Sequence, residues 1–169
     1  MKKNFKRCSW CLDDPILIDY HDNEWGKKII DDNKLFERMT LEVFQAGLSW
    51  KIILLKREAL RKAFSQFDID KVSKYNEKKI EKLLQDKNII RNKRKIMATV
   101  YNANSIKQIQ KEFGSFYNFI QNLDISNNTV KELKKYFKFM GNETVKCFLI
   151  GCGRVEPEHD KHCFLYNKR

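Results

Sequence analysis

At 169 residues and 20.3 kDa, the chain is expected to form one domain, long enough to bury most of its apolar surface. With 42% hydrophobic and 12% aromatic residues it excludes a disordered segment, and a formal net charge of +12 points to a polyanionic partner. The longest aliphatic run is only Ile52-Ile53-Leu54-Leu55, and no apolar stretch follows the basic start MKKNFKR. Neither a membrane span nor a secretory signal is therefore expected, and five cysteines without such a signal argue against a disulfide framework. An intracellular, cytoplasmic location without membrane contact is the expectation.

Two prolines and six glycines are too few turn signals for a sandwich or barrel, so the fold class is read as all-α. In chain order, Asp32 is expected to cap a helix running to about Ala46, with Leu35, Met39, Val43 and Ala46 on its inward stripe. Gly47-Leu48 breaks it, and Ser49 caps the next helix through Phe64. Asn76 caps another carrying Ile80, Leu83 and Leu84. After a break at Asp86–Asn88, Asn92 caps a helix with Ile96, Val100 and Ala103 inside. Further helices are predicted near 115–122, 129–138 and 142–152. The ends, about 1–30 and 153–169, read as irregular, leaving a helical core over about 31–152 of one domain spanning 1–169.

All five cysteines (8, 11, 147, 152, 163) and all three histidines (21, 159, 162) fall in the first 21 or last 23 residues. A tetrahedral zinc ion would tie together two ends that a helical core holds poorly, because thiolate and imidazole are its preferred donors. Cys8 and His21 from one end with His159 and Cys163 from the other complete such a site; Cys11 and His162 are the alternatives. Cys147 and Cys152 read as core thiols. A redox role for Cys8-x-x-Cys11 has no βαβ pattern around it.

Glu42 lies seven residues after Leu35 and three after Met39, along the inward stripe, with no charge among its neighbours Leu41, Val43 and Phe44. A buried, unpaired carboxylate is costly. Either it recognises a ligand, accepting from an exocyclic amine or a cationic ring, or the helix is rotated enough for it to reach solvent. All three tryptophans (Trp10, Trp25, Trp50) and Tyr20 fall in the first 50 residues. Aromatic residues usually fill a core, but around an odd carboxylate they could form a slot for a flat ring. The run from Lys87 to Ile96 holds five basic residues and no acidic one between two predicted helices, which makes it a DNA-contact candidate.

These residues resemble the DNA-3-methyladenine glycosylase I family. The carrying segments are Cys8-Ser-Trp10, Tyr20-His-Asp-Asn-Glu-Trp-Gly26, Leu35-Phe-Glu, Leu41-Glu-Val-Phe-Gln-Ala-Gly-Leu-Ser-Trp50, Ile89-Ile-Arg-Asn-Lys-Arg-Lys-Ile96 and His159-x-x-x-Cys163. The resemblance is collinear over nearly the whole chain. It implies a helix-hairpin-helix repair enzyme that flips out and hydrolytically releases 3-methyladenine from alkylated double-stranded DNA. The enzyme would be monofunctional, leaving an abasic site without a lysine Schiff base or the aspartate common in related glycosylases. It further implies one structural zinc on Cys8, His21, His159 and Cys163. The implied base pocket holds Glu42, Tyr20 and Trp50, with Trp10 and Trp25 nearby. Gly47 and Leu48 are expected to enter the duplex gap. Asn88, Arg91, Lys93, Arg94 and Lys95, in the hairpin of about 86–96, are expected to contact DNA.

The chain departs from the family pattern at Leu17, where an aromatic is usual and one pocket wall is expected to differ. It also departs at Asn88, which stands for a hairpin glycine and is expected to tolerate a left-handed conformation. Leu133–Lys138 lacks a glycine, the loop around Leu123–Thr129 is shorter, and Lys146 and Gly151 replace more apolar residues. A monomer is expected. The alternative is a non-enzymatic, zinc-stabilised DNA-binding or lesion-sensing protein on the same scaffold; intact Glu42 and Trp50 favour the enzyme, since a pure binder needs neither.

Overall fold

A computed structural model describes residues 6–166; most of the basic start, residues 1–5, lies outside the described residues. Nine α-helices and no β-strand occur among them: α1 (Pro15–Asn23), α2 (Asp32–Gln45), α3 (Trp50–Ala63), α4 (Ile69–Val72), α5 (Glu77–Gln85), α6 (Lys93–Phe113), α7 (Phe116–Asn122), α8 (Thr129–Tyr136) and α9 (Asn142–Gly151). The expected caps Ser49, Asn76 and Asn92 hold: each side chain accepts the backbone N–H three residues on.

The centre of the fold is α2, buried without a break from Leu35 to Phe44. A helix wet on one face would alternate, so α2 must be surrounded, and it packs against α3, α6, α7 and α9. Its own Phe36 and Phe44, and Phe64, Phe67, Phe116 and Phe148 around it, are fully buried. The Phe64 and Phe67 rings stack at 5.9 Å, and those of Phe116 and Phe148 at 6.3 Å.

Several local expectations are corrected. The cap of α2 is Asp31, not Asp32. Asp32 instead accepts the backbone N–H groups of Phe116 and Tyr117 and the Gln110 amide, tying α2 to the start of α7. Ala46 is exposed, because α2 ends at Gln45 before the inward stripe is extended. The N-terminal part is not irregular: Asp14 caps α1 and Pro15 occupies its first turn, an arrangement suited to a helix start.

The chain ends meet. Gly153, at φ +72°, turns the chain out of α9 where a Cβ would lie 2.5 Å from Lys28 N. Residues beyond it run back along the N-terminus: the Phe164 N–H donates to Lys6 O, and the Ser9 N–H to the Asp160 carboxylate. No described helix is long and apolar enough to cross a membrane.

Candidate functional site

Four helices and one short 3-10 turn converge on a slot of about 290 Å³. Trp10 comes from the turn Ser9–Cys11, Tyr20 from α1 and Trp25 from the segment after it. Glu42 and Gln45 come from the last turns of α2, Trp50 from the first residue of α3, and Cys147 and Ile150 from α9. All five residues expected in the base pocket line this slot. Tyr20 and Trp50 lie with ring centroids 5.1 Å apart, and Trp10 meets Trp25 edge-on at 5.1 Å.

Glu42 is only 4% exposed, so the helix is not rotated to free it. No protein donor reaches its carboxylate among the described residues, and burial pushes it up to about 7 against the pull of Arg38. Trp50 Nε1 is buried and has no partner among the described residues either. Burial keeps the Tyr20 hydroxyl neutral, raising its pKa. An acceptor and two donors left facing a slot walled by aromatic rings suit a flat, polar ring.

Three slot features escape the sequence. Arg38 supplies the charge that the immediate neighbours of Glu42 lack, one helical turn away. Cys147 is half-buried at the slot rather than a core thiol, whereas Cys152 is buried as expected. Gln45 and Ile150 also line the slot; Gln45 lies inside the segment Leu41–Trp50, whereas no pattern in the sequence separates Ile150 from ordinary helix positions. Leu17 does not line it; it is buried with Leu54 behind Tyr20.

Beside the slot, Cys8, His21, His159 and Cys163 bring their ligand atoms within 4.8 Å of one another. Cys8 Sγ lies 3.4 Å from His159 Nδ1, and Cys163 Sγ 3.5 Å from His21 Nε2. The other ring nitrogen of His21 lies 2.8 Å from Asp22 Oδ1, and Asp22 is held by Arg7, the arrangement that orients an imidazole ligand. The His159 imidazole is held neutral by burial and by His21. Burial pushes the Cys8 thiol up to about 11, so a bound cation is what would make it a thiolate. The cluster could hold a metal. Cys11 and His162 stand apart from it; burial raises Cys11 to about 12, and His162 Nε2 lies 2.9 Å from Arg7 O. The slot and cluster share walls: Trp10 lies 5.4 Å from His21, and Trp25 5.0 Å from His159.

The expected DNA-contact residues divide. Gly47, at φ +84°, and Leu48, 37% exposed, form a protruding turn between α2 and α3 with open space around the glycine. Asn88, Arg91, Lys93 and Arg94 are exposed around the α5–α6 connection. Lys95 is not available to a phosphate. It is 5% exposed and donates to the carbonyls of Phe44 and Ala46, neutralising the C-terminal end of α2 just before the turn. Asn88 is not left-handed; its amide and backbone N–H both donate to Asp86, which makes the bend without positive φ. Of the departures in α9, Lys146 is exposed and Gly151 faces Arg38 and Glu42.

The methyladenine glycosylase family model matches residues 10–134. The chain is 38% identical to DNA-3-methyladenine glycosylase 1 of Escherichia coli (strain K12), over 95% of this chain and 97% of that protein. A crystal structure of 3-methyladenine DNA glycosylase I superposes with a TM-score of 0.87 at 37% identity, covering 95% of this chain and all of that one. The Staphylococcus aureus enzyme, solved for the structural basis of its 3-methyladenine recognition, superposes at 0.86 with 33% identity, over 96% and 97% of the two chains.

Proposed function

The chain belongs to the methyladenine glycosylase family, and from that premise we propose that it releases 3-methyladenine from alkylated duplex DNA and leaves an abasic site. The observation that carries this reading is Glu42: a buried carboxylate, without a protein donor among the described residues, lining an aromatic slot.

A base inside a duplex is out of reach and must be flipped out, at a cost of a few kcal/mol. The turn at Gly47-Leu48 is suited to fill the gap it leaves. The exposed residues Asn88, Arg91, Lys93 and Arg94 would hold the backbone, with α5 and α6 as the two helices of a helix-hairpin-helix element. Methylation at N3 makes the adenine a cation and weakens its bond to the sugar. Aromatic faces attract such a ring, and an ionised Glu42 complements its charge. The bonding pair leaves with the base, which departs neutral, and the sugar passes through an oxocarbenium-like state. Water adds to it and loses a proton, completing hydrolysis. No residue is assigned as general base.

Zinc fits the terminal cluster. Usual zinc–sulfur and zinc–nitrogen bond lengths give donor–donor edges of about 3.3–3.8 Å in a tetrahedron, and the short separations of the cluster fall there. Cys8, His21, His159 and Cys163 would close the coordination shell, which makes the role structural. The protein is read as an intracellular monomer acting on DNA, its residues 1–169 forming one unit.

The test is base release from methylated duplex DNA, resolved chromatographically, for the unaltered protein beside Glu42→Gln. Release of 3-methyladenine, falling roughly 10²-fold or more in the variant, is expected. No release by folded, metal-loaded protein would overturn the reading and favour a lesion-binding protein on this scaffold.

A further inference from the structure

Arg38 is a cation at an unusual depth. It is 2% exposed, yet it sits on α2 one turn before Glu42 and therefore on the same face. One terminal nitrogen donates to the Tyr20 hydroxyl oxygen at 2.9 Å, and the other to Glu24 at 3.0 Å. Its guanidinium carbon lies 4.8 Å from the Tyr20 ring centroid and 5.6 Å from that of Trp50. Its Nε has no partner among the described residues.

The space for this group is made by α9. A Cβ on Gly151 would lie 3.0 Å from Arg38 Cδ, 3.5 Å from Arg38 Nε and 3.5 Å from Glu42 Oε1. Arginine and carboxylate thus flank the same point: a Cβ at 151 would press on the Arg38 stem and reach ordinary contact with Glu42. The titratable or charged groups facing Glu42 are Arg38 from its own helix, Tyr20 from α1 and Cys147 from α9, and Arg38 is the one cation among them. Burying a guanidinium is costly unless it is held. Glu24 holds it, and Glu24 is itself fixed by Arg57.

Resting on the glycosylase reading, we infer that Arg38 is a positioning residue for base recognition, acting through both Tyr20 and Glu42. By donating to the Tyr20 oxygen it occupies one lone pair and leaves the hydroxyl proton to point elsewhere, and no protein acceptor takes that proton among the described residues. Tyr20 therefore presents a donor to the slot. By lying one turn from Glu42, Arg38 offsets part of the burial that favours the neutral acid, so that the carboxylate becomes an acceptor as it ionises near pH 7. The slot thus offers a donor beside an acceptor, which matches an adenine edge carrying a ring nitrogen next to an exocyclic amine.

The experiment measures kcat and KM for base release from pH 5.5 to 9 with the zinc-loaded protein, Arg38→Met and Arg38→Lys, alongside tryptophan-fluorescence binding of free 3-methyladenine. In the unaltered protein activity rises with pH as Glu42 ionises. In Arg38→Met the midpoint of that rise is expected to move up by about one unit or more, lowering activity about tenfold below it. Arg38→Lys keeps the charge and most of the packing but not the planar fork. It should hold the midpoint while weakening 3-methyladenine binding several-fold. An unmoved midpoint in folded Arg38→Met would overturn the inference, as would Arg38→Lys binding 3-methyladenine like the unaltered protein, whether or not the methionine variant folds. Absence of release by the unaltered protein is a separate outcome and counts against the glycosylase reading.

Discussion

Glu37 and Glu42 lie five residues apart on α2, both buried, on faces that use a carboxylate in opposite ways. Glu37 accepts Arg57 Nε at 2.6 Å and Arg61 Nε at 2.8 Å, and Arg57 continues to Glu24. On the slot face, among the described residues, Glu42 has no protein donor, Trp50 Nε1 has no acceptor, and Arg38 Nε is unpartnered. A protein interior normally satisfies its polar groups, so a face where several remain open is one arranged for a ligand. The difference teaches that burial alone does not mark a functional carboxylate; burial without partners does.

The largest expected effect separates the faces through their supports. The slot draws Trp10 and Trp25 from the N-terminal segment, against the Cys/His cluster, whereas the Glu37 network joins α2 and α3 and reaches Glu24. Chelation or Cys163→Ala is expected to lower stability by several kcal/mol and to change the tryptophan emission. Thermal melts and fluorescence, with and without chelator, check this; a melt insensitive to both treatments would sever the cluster from the slot.

Next in size is the opposite response of the two carboxylates to neutralisation. The folded state holds the Glu42 proton up to about pH 7, while the unfolded chain releases it near 4.5. Its contribution to stability is therefore full below that lower value and is lost as pH rises through the folded one. Glu42→Gln removes the dependence and should be more stable than the unaltered protein above pH 7, by up to roughly 3 kcal/mol. Urea unfolding at pH 5 and pH 8 reads this directly. Glu37→Gln should instead destabilise, by about 1–2 kcal/mol because its arginines are partly solvated, and leave base release in place. Should both variants shift stability in the same direction, the contrast between the faces would fail.

The smallest effect sharpens the slot face. Gly151→Ala pushes a methyl group towards Arg38 and Glu42, and a loss of about 1 kcal/mol is expected from the crowding. Because the added carbon meets the two groups that shape the slot, 3-methyladenine binding should weaken more than stability does. Binding titrations paired with melts test that order.

Much of the site was legible because its residues are rare types in rare places. Soft ligands confined to the two ends pointed to Cys8, His21, His159 and Cys163, and a carboxylate on an apolar stripe pointed to Glu42. Lys95 shows the limit of such reasoning. In a run of basic residues every side chain looks alike, and only the position of the α2 terminus makes this one point inward to two carbonyls. Nothing in the sequence marks Arg38 for burial either, since its partners Tyr20 and Glu24 lie 18 and 14 residues away.

The sequence by itself determined the all-helical class and the caps at Ser49, Asn76 and Asn92, and it put forward the four Cys/His residues that cluster and the five residues that line the slot. Those depend on short-range hydrogen bonding and on residue chemistry that no packing alters. Only the tertiary structure decided which carboxylate is satisfied, which lysine is buried and that Gly151 makes room for a guanidinium beneath the slot. These are outcomes of long-range packing, where a side chain's role is set by what another helix brings against it.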